Sequence, residues 1–456
     1  MRSRAPLLVL APLLLALLGT PAAAQQAKGK RVDCVKYLNE SRKVVDDYWS
    51  FLIFKVGAFD IPGMVARLRP EAEAATTPDA CADVLDRFMA SLRDGHANLT
   101  YFPGRTPTVV PRGIRLKRFK DRILLPGALR PRQRLYVIEA NTGRPELERV
   151  PVGTEVLSID GKPVQEVLDD VEARTSASTA WGLEHWTDRY LLEGPADTDV
   201  KLGLRLPDGA TRDLVLPRPR RYQNEKDAED FWRVYGDTVT LVTWKRLGDG
   251  FGYIKFVSFA YERGVREFDA ALDSLRDSRG LVVDLRDNGG GLGGVVSDLV
   301  GRFFKKQVQV ARYIIREPRK EYVIRDLAPW IADKRKWTYA GPVVLIVDAG
   351  CFSACDIFTN AMDENNRALV LGATATGGGS ASPVGGPVFP EWEGVSIRVS
   401  YLIAQRKDGS HIESRGVRPH VMVEPTLQDY VAGRDPLLER ALEALQKGEA
   451  RPLAGS

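Results

Sequence analysis

The feature that most constrains the fold is a regular alternation of apolar runs and helical stretches between residues 240 and 430. Apolar runs at 252–259, 280–286 and 342–347 predict buried strands, and the segments 264–275 and 293–304 between them predict helices. Strands that alternate with helices in this way favour layers of helices packed on a sheet. The sequence therefore predicts an α/β core for this half of the chain.

A serine stands in the turn that follows the third of these strands. Residues 350–355 read Gly-Cys-Phe-Ser-Ala-Cys, and residues 356–362 continue as a predicted helix. A serine in a sharp strand-to-helix turn is held clear of its own backbone, and the amides of the helix start stabilise negative charge. Serine is also a common helix N-cap, so the turn by itself leaves a capping role open. Ser353 is a candidate nucleophile.

A second turn is rich in glycine. The strand at 281–286 runs into Asp287, Asn288 and then Gly289, Gly290 and Gly291. Glycine lets backbone amides approach a ligand closely, and such amides can form one side of an oxyanion hole. The same glycines also satisfy the Gly-x-Gly-x-x-Gly pattern of dinucleotide-binding turns. NAD binding is therefore an alternative interpretation of this segment.

The chain contains four histidines: His96, His185, His411 and His420. His96 belongs to an Asp-Gly-His turn after a predicted helix, and His411 and His420 lie on either side of Glu413 along the sequence. No His-x-x-x-His pair is present, so a metal site would need ligands from distant segments. Taken alone, each histidine and Glu413 is more often structural or surface-exposed than catalytic.

The first 24 residues have the pattern of a secretory signal peptide. Arg2 and Arg4 precede an apolar stretch at 7–18, and small residues at 21–24 offer a cleavage site. The apolar stretch is too short for a transmembrane helix. We therefore expect export to the periplasm or the medium. The 65 basic and 60 acidic residues are interspersed, which argues against a nucleic-acid or anionic-membrane partner.

Four cysteines remain after such an export, and an oxidising compartment permits disulfides. Cys34 and Cys81 both lie in the N-terminal helical region, so we predict that they pair. Cys351 and Cys355 are within reach of each other but strained for helical geometry, so a bridge between them stays open.

The remaining segments predict three further parts. Residues 25–103 are expected to form a helical N-terminal domain, and residues 104–218 a small domain of short strands. Residues 240–430 carry the α/β pattern, and residues 431–456 form a C-terminal helix and tail. Within the second part, residues 152–164 resemble the second half of a PDZ domain, a fold that binds peptide C-termini by strand addition.

Five segments together resemble the tail-specific, or carboxy-terminal processing, serine peptidase family S41, in its tricorn-like branch. The motifs follow in the family's order and span most of the chain: Gly252-Tyr253-Ile254, Asp284 to Gly291, Gly350 to Ala354, Gly416-Val417-Arg418-Pro419-His420 and Gly433 to Leu437. The Asp-Gly-His turn also recurs at the N-terminal side of that family.

The resemblance implies a fold and a set of roles. The fold is an α/β, crotonase-like (ClpP/crotonase) spiral catalytic domain with a helical N-terminal domain and a small PDZ-like β domain. Ser353 is the nucleophile, His96 the general base and Glu413 the residue that orients it. The backbone amides of Gly290 and Ala354 form the oxyanion hole. The substrates are peptides or proteins, and neither a metal nor an organic cofactor is needed.

Two departures from the family pattern stand out. The bacterial processing branch has a lysine base in a Gly-Lys-Gly turn, whereas residues 376–380 read Thr-Gly-Gly-Gly-Ser, and the next lysine, Lys407, is only a remote substitute. Gly95 also stands where the tricorn-like branch often has serine. These departures leave an alternative, which is a catalytically inactive peptide-binding protein of the same fold.

Overall fold

A computed structural model of the 456-residue chain describes residues 32–52, 54–55, 59–120, 133–220, 239–317, 319–320, 323–326, 330–332, 337–379, 389–392 and 394–450. The predicted signal peptide lies outside these residues. Within them, no helix is both long enough and apolar enough to cross a bilayer.

The N-terminal part is a group of three helices, α1 (Cys34–Tyr48), α2 (Ile61–Ala74) and α3 (Pro78–Ser91). Each helix begins at a capping residue whose side chain accepts a backbone N–H of the first turn. The capping residues are Asp33, Asp60 and Thr77, in the order of the helices. A disulfide between Cys34 and Cys81 joins α1 to α3.

The N-terminal part does not end as a helix. Asn98–Tyr101 forms strand β1, which follows the Asp-Gly-His turn at the end of the predicted helices and was not predicted. This strand pairs with Val395–Arg398, some 300 residues later, and the apolar faces of the three helices pack against Val395, Ile397 and Ile403. The long-range pairing could not be read from local periodicity, and it fixes the N-terminal helices onto the last third of the chain.

The middle part is a mainly antiparallel sheet with two helices. Its helices are α4 (Val164–Arg174) and α5 (Ala180–Tyr190). Its main sheet has the order β3-β4-β5-β8-β9, with β6 paired to β5, and β2 pairs with β7. The strands are β2 (Thr108–Val109), β3 (Ile114–Lys120), β4 (Gln133–Ala140), β5 (Glu155–Ile159), β6 (Lys162–Pro163), β7 (Gly194–Pro195), β8 (Thr198–Arg205) and β9 (Thr211–Arg218).

The C-terminal part contains the predicted α/β core. Its sheet has the order β10-β11-β12-β16-β17-β21, in which only β10 is antiparallel to its neighbour. These strands are β10 (Val242–Arg246), β11 (Gly252–Phe256), β12 (Leu281–Asp284), β16 (Val343–Val347), β17 (Leu369–Gly372) and β21 (Val421–Met422). The helices are α6 (Arg263–Ser274), α7 (Gly293–Val300), α8 (Ala354–Glu364), α9 (Leu427–Val431) and α10 (Pro436–Gln446).

Shorter strands complete this part: β13 (Val308–Arg316), β14 (Ile324–Asp326), β15 (Trp330–Ala332), β18 (Phe389–Trp392), β19 (Val395–Arg398) and β20 (Ile403–Gln405). β13 pairs with β14, β15 and β20, and β19 pairs with both β1 and β18. The described chain is thus a mixed α/β protein.

The register of β12 and β16 decides where chemistry can occur. The two strands are parallel neighbours, with Val283 opposite Leu345. Their carboxyl ends therefore lie side by side at one edge of the sheet, where open α/β sheets bind ligands. The glycine turn follows β12 and the serine turn follows β16, so the two turns meet.

The core beneath this edge is built on interlocking aromatic rings, among them Phe259, Phe268, Phe303 and Phe358. We expect Phe303→Ala to lower the free energy of unfolding by about 3–5 kcal/mol, because it removes a fully buried ring and leaves a cavity. Urea unfolding followed by circular dichroism measures this loss. Trp244→Ala is the control, since Trp244 is 46% exposed, and it should change the value by no more than about 0.5 kcal/mol.

Candidate active site

Ser353 lies at the N-cap of α8 with a backbone that non-glycine residues rarely adopt. Its φ is 58° and its ψ is −116°. Such a conformation costs on the order of 1–3 kcal/mol and persists only where the surroundings determine it. The Phe352 N–H donates to the Asn288 carbonyl at 3.0 Å, and the Gly377 N–H donates to the Cys351 carbonyl at 2.8 Å. The strained turn aims the serine hydroxyl away from the helix, and Ser353 makes no side-chain capping bond.

His96 meets this hydroxyl from a distant part of the chain. Its Nε2 lies 3.0 Å from Ser353 Oγ, and its ring centroid lies 4.7 Å from that of Phe352. The histidine turn is held by the buried carboxylate of Asp94, which accepts the His96 N–H, the Trp49 indole N–H and the Ser400 hydroxyl. The sequence singled out the Asp-Gly-His turn but gave no sign of this anchoring role for Asp94.

Burial sets the protonation state of the imidazole. His96 is 7% exposed, and burial lowers its pKa to about 4; the Asp94 charge opposes this shift and the Arg398 charge adds to it. The ring is therefore neutral near pH 7 and able to accept a proton from a hydroxyl group.

Gly95 stands where a side chain has no room. A Cβ on this residue would lie 2.6 Å from the Phe352 ring, and its N–H donates to Ser178 Oγ at 2.9 Å. The same ring fills the space beside the glycine loop at 377–379, because a Cβ on Gly379 would lie 2.2 Å from it. The Phe352 ring thus fills the space beside Gly95 and beside the glycine loop, the two places where the sequence departs from the family pattern.

The two amides predicted for the oxyanion hole lie close together but differ in their partners. A Cβ on Gly290, whose φ is 90°, would lie 2.7 Å from the Ala354 nitrogen and 2.9 Å from Ser353 Cβ, so only glycine fits there. The Gly290 N–H donates to Asn288 Oδ1 at 3.0 Å. The Ala354 N–H begins helix α8, where the first amides have no partner within the helix.

Glu413 lies near the histidine turn without a direct hydrogen bond to the imidazole. It is 4% exposed, and its Oε1 lies 3.4 Å from Lys55 Nζ. Lys55 in turn donates to the Arg93 carbonyl at 2.7 Å. Within the described residues the buried Nδ1 of His96 has no hydrogen-bond partner. The sequence missed Lys55, which lies over the rings of Trp49, Phe51 and Phe59 and approaches the turn from the preceding helical segment.

The other histidines have structural surroundings. His420 Nδ1 accepts the Val370 N–H at 3.0 Å, and its Nε2 lies 3.2 Å from Asp363. His411 packs edge-on against Phe54. Lys407 donates to Glu364 and Asn365 at the far end of α8, so it is remote from Ser353.

One group of side chains has the spacing of metal ligands. His185, Asp287 and Asp348 each offer a ligand atom within 4.8 Å of the others. However, Arg115 donates to Asp287 at 2.8 Å, and Asp348 Oδ1 accepts the N–H groups of Asp287, Gly350 and Cys351. Asp287 Oδ2 and Asp348 Oδ1 thus bind protein groups, and Asp348 ties the glycine turn to the serine turn, whereas Asp287 Oδ1 and His185 Nε2 are buried without a hydrogen-bond partner among the described residues.

Two glycines of the glycine turn lie close to neighbouring backbone, and the Gly290 N–H already donates to Asn288 Oδ1. A Cβ on Gly291 would lie 2.1 Å from the Ala260 nitrogen, and one on Gly290 would lie 2.4 Å from the Phe352 carbonyl. Both glycines are packed against protein backbone.

Comparisons with known proteins identify the family of one part of the chain. Residues 250–423 match the family model of peptidase family S41. This part of the chain is a peptidase family S41 domain.

Several curated proteins that the chain resembles are processing proteases. The chain is 25% identical over 225 residues to a carboxy-terminal-processing protease of Bartonella bacilliformis, with 48% of this chain and 49% of that protein covered. It is 27% identical over 269 residues to a chloroplastic C-terminal processing peptidase of Tetradesmus obliquus, with 56% and 53% covered. The chain spans about half the length of these relatives.

Solved structures share the fold over nearly the whole chain. Mature CPAF superposes with a TM-score of 0.68 at 16% identity, covering 95% of this chain and 99% of that one. A crystal structure of a putative peptidase from Parabacteroides merdae gives a TM-score of 0.52 at 19% identity, covering 91% and 96%. At these identities the likeness concerns the fold alone: the mixed α/β arrangement around the S41 domain is the arrangement of these proteins.

We expect the imidazole of His96 to stay neutral down to about pH 4, because burial disfavours its charged form. The Cε1–H resonance of His96, followed by NMR as the pH is lowered, should titrate with a midpoint near that value. His96→Asn identifies the resonance by its disappearance. A midpoint near 6.5, the ordinary value for histidine, would contradict the environment described here.

Proposed function

We propose that the protein is an exported serine endopeptidase that hydrolyses peptide bonds in unstructured polypeptides through a Ser353 acyl-enzyme. The observation that carries the proposal is the 3.0 Å contact between Ser353 Oγ and the buried, neutral imidazole of His96. A hydroxyl at the start of a helix, within reach of a neutral imidazole whose unprotonated nitrogen can accept a proton, is the arrangement that nucleophilic catalysis needs.

The mechanism follows from the positions of these groups. Ser353 Oγ attacks the carbonyl carbon of the scissile bond while His96 Nε2 takes the hydroxyl proton. The tetrahedral intermediate then expels the amine, which receives this proton from His96, and a water molecule hydrolyses the ester by the same steps. Neutral His96 acts first as base, and the imidazolium formed then acts as acid.

Negative charge on the tetrahedral intermediate is stabilised by backbone amides. The Ala354 N–H lies at the positive end of α8 and serves as one donor. Gly290 contributes its close approach to Ala354, and its N–H serves the intermediate when it exchanges Asn288 Oδ1 for the substrate oxygen. Loss of one such donor in other proteases costs roughly 3–4 kcal/mol of transition-state stabilisation.

In this proposal Glu413 acts on the histidine turn indirectly, through Lys55. Its charge stabilises Lys55, and Lys55 holds the Arg93 carbonyl next to the histidine turn. The orientation of His96 then depends on the backbone of the turn and on the Phe352 ring, since Nδ1 makes no direct bond to the glutamate.

The cleft next to Ser353 suits an extended chain. A cavity of about 720 Å³ is lined by Gly95, Asn98, Trp186, Gly289 and Phe352, among others. It lies between the N-terminal, middle and C-terminal parts, so a folded segment has less access to it than an extended one. This supports unstructured polypeptides as substrates.

We further propose that residues 104–218 form a PDZ-like domain and residues 240–430 a crotonase-like catalytic domain. The edge strand β3 of the first is partly covered, because Asp188 of α5 accepts both the N–H and the guanidinium of Arg118. A substrate C-terminus that adds to β3 as a strand must therefore displace α5 locally. Export is supported by the sequence of residues 1–24 and by the two disulfides.

The decisive test uses a fluorophosphonate probe and a mixed peptide library read by mass spectrometry. We expect Ser353→Ala to abolish labelling and His96→Ala to reduce labelling and cleavage by about 10³-fold or more. The first variant lacks the nucleophile, and the second lacks the group that accepts and returns the proton. Lys407→Ala is the control and should keep full activity. No Ser353-dependent labelling in the wild type would favour the inactive peptide-binding protein instead, and a loss of activity in Lys407→Ala would favour a lysine base.

We expect Glu413→Gln to lower kcat by about 10–100-fold, less than the roughly 10⁴-fold cost of losing a carboxylate that bonds the histidine directly. Lys55→Met should cause a similar loss, and the double variant should lose little more than either single one, because the two residues act through one contact. Steady-state kinetics on a peptide substrate measures all three. Additive losses would contradict the chain of contacts through Lys55.

A further inference from the structure

A disulfide brackets the nucleophile. Cys351 and Cys355 are bonded to each other, two residues before and two residues after Ser353. Both cysteines are fully buried in the apolar core of the S41 domain, with Cys351 in the turn after β16 and Cys355 in the first turn of α8. The strained residue thus lies inside a small covalent ring.

The covalent ring closed by Cys351 and Cys355 contains the part of the backbone that is under strain. Ser353 has a φ of 58°, and its relaxation would rotate the serine hydroxyl relative to His96 and the Ala354 N–H relative to a substrate carbonyl. Hydrogen bonds from Phe352 and Gly377 hold only the residues that precede Ser353. Across Ser353 the Cys355 N–H donates to the Phe352 carbonyl at 3.0 Å, and the disulfide adds a covalent link between the preceding strand end and the first turn of the helix.

We propose that Cys351 and Cys355 are positioning residues for catalysis: their disulfide keeps Ser353 in the backbone conformation that places its hydroxyl at His96 and the Ala354 amide at the oxyanion. This inference rests on the proposed function. It concerns kcat more than KM, since most of the described residues that line the cleft, among them Trp186 and Gly95, belong to other segments, whereas Phe352 belongs to this one.

The second disulfide provides a matched control in the same chain. Cys34–Cys81 is also fully buried, but it links α1 to α3 and closes a loop of 47 residues, whereas the Cys351–Cys355 bridge spans four. In the chain-entropy account a longer loop gives the larger stabilisation. Removal of the Cys34–Cys81 bridge should therefore cost more stability, and removal of the Cys351–Cys355 bridge should cost more activity.

The test compares Cys351→Ala/Cys355→Ala with Cys34→Ala/Cys81→Ala in the otherwise unchanged protein. Peptide hydrolysis gives kcat and KM, the fluorophosphonate probe gives the rate of Ser353 labelling, and thermal unfolding gives Tm. For the first variant we expect kcat and the labelling rate to fall by about 10–100-fold, the range that strain of this size corresponds to, with KM within about twofold. The second variant should lose more in Tm and keep kcat within about twofold.

A reversible experiment keeps the proposal testable if the Cys351→Ala/Cys355→Ala variant fails to fold. In the Cys34→Ala/Cys81→Ala protein the remaining bridge is opened by a phosphine, which with water reduces the disulfide to two thiols and becomes the phosphine oxide. Labelling should slow on reduction and recover on reoxidation, with thiol titration confirming each state. Unchanged labelling after complete reduction would overturn the proposal, as would equal kcat losses in the two paired variants. A wild type without Ser353-dependent labelling would instead overturn the proposed function itself, and this proposal with it.

Discussion

A single carboxylate oxygen of Asp348 joins the two turns on which the site is built. It accepts the Asp287 N–H at 3.0 Å from the glycine turn, and the Gly350 and Cys351 N–H groups at 2.9 Å and 3.2 Å from the serine turn. Parallel pairing of β12 and β16 brings the turns to the same sheet edge, and this oxygen sets their separation. Burial and the charge of Asp287 raise the pKa of Asp348, while His185 opposes that shift.

Around this junction the site is assembled from three separate segments. The S41 domain supplies Ser353 and the glycine turn, the N-terminal helices supply His96, and α5 of the middle part supplies Trp186 and His185. Trp181 of the same helix donates to the Thr376 carbonyl at 2.7 Å, and Thr179 donates to that of Gly377 at 3.1 Å. The glycine loop is thereby held from the side of the middle part, and the buried Asp356 accepts the N–H groups of Gly378 and Gly379 from the other side.

Local sequence patterns predicted much of the fold around the site. The apolar runs and glycines predicted the buried strands and both turns, because a buried strand and a sharp turn each restrict the residue types that fit. The strand at Asn98–Tyr101 was missed, since its partner lies some 300 residues away and no short-range pattern encodes that pairing. The link between Glu413 and Lys55 was missed for the same reason.

By itself, the sequence determined which groups are available: a serine at a helix start, a histidine in an Asp-Gly turn, glycines after a strand, and no lysine in the loop at 376–380. Only the tertiary structure decided which of them meet. It placed His96 Nε2 3.0 Å from Ser353, kept Glu413 with Lys55, engaged the Gly290 amide with Asn288, and filled the space beside the glycine loop with Phe352. Composition and periodicity act over a few residues, whereas these distances depend on how strands and helices far apart in the chain pack around one core.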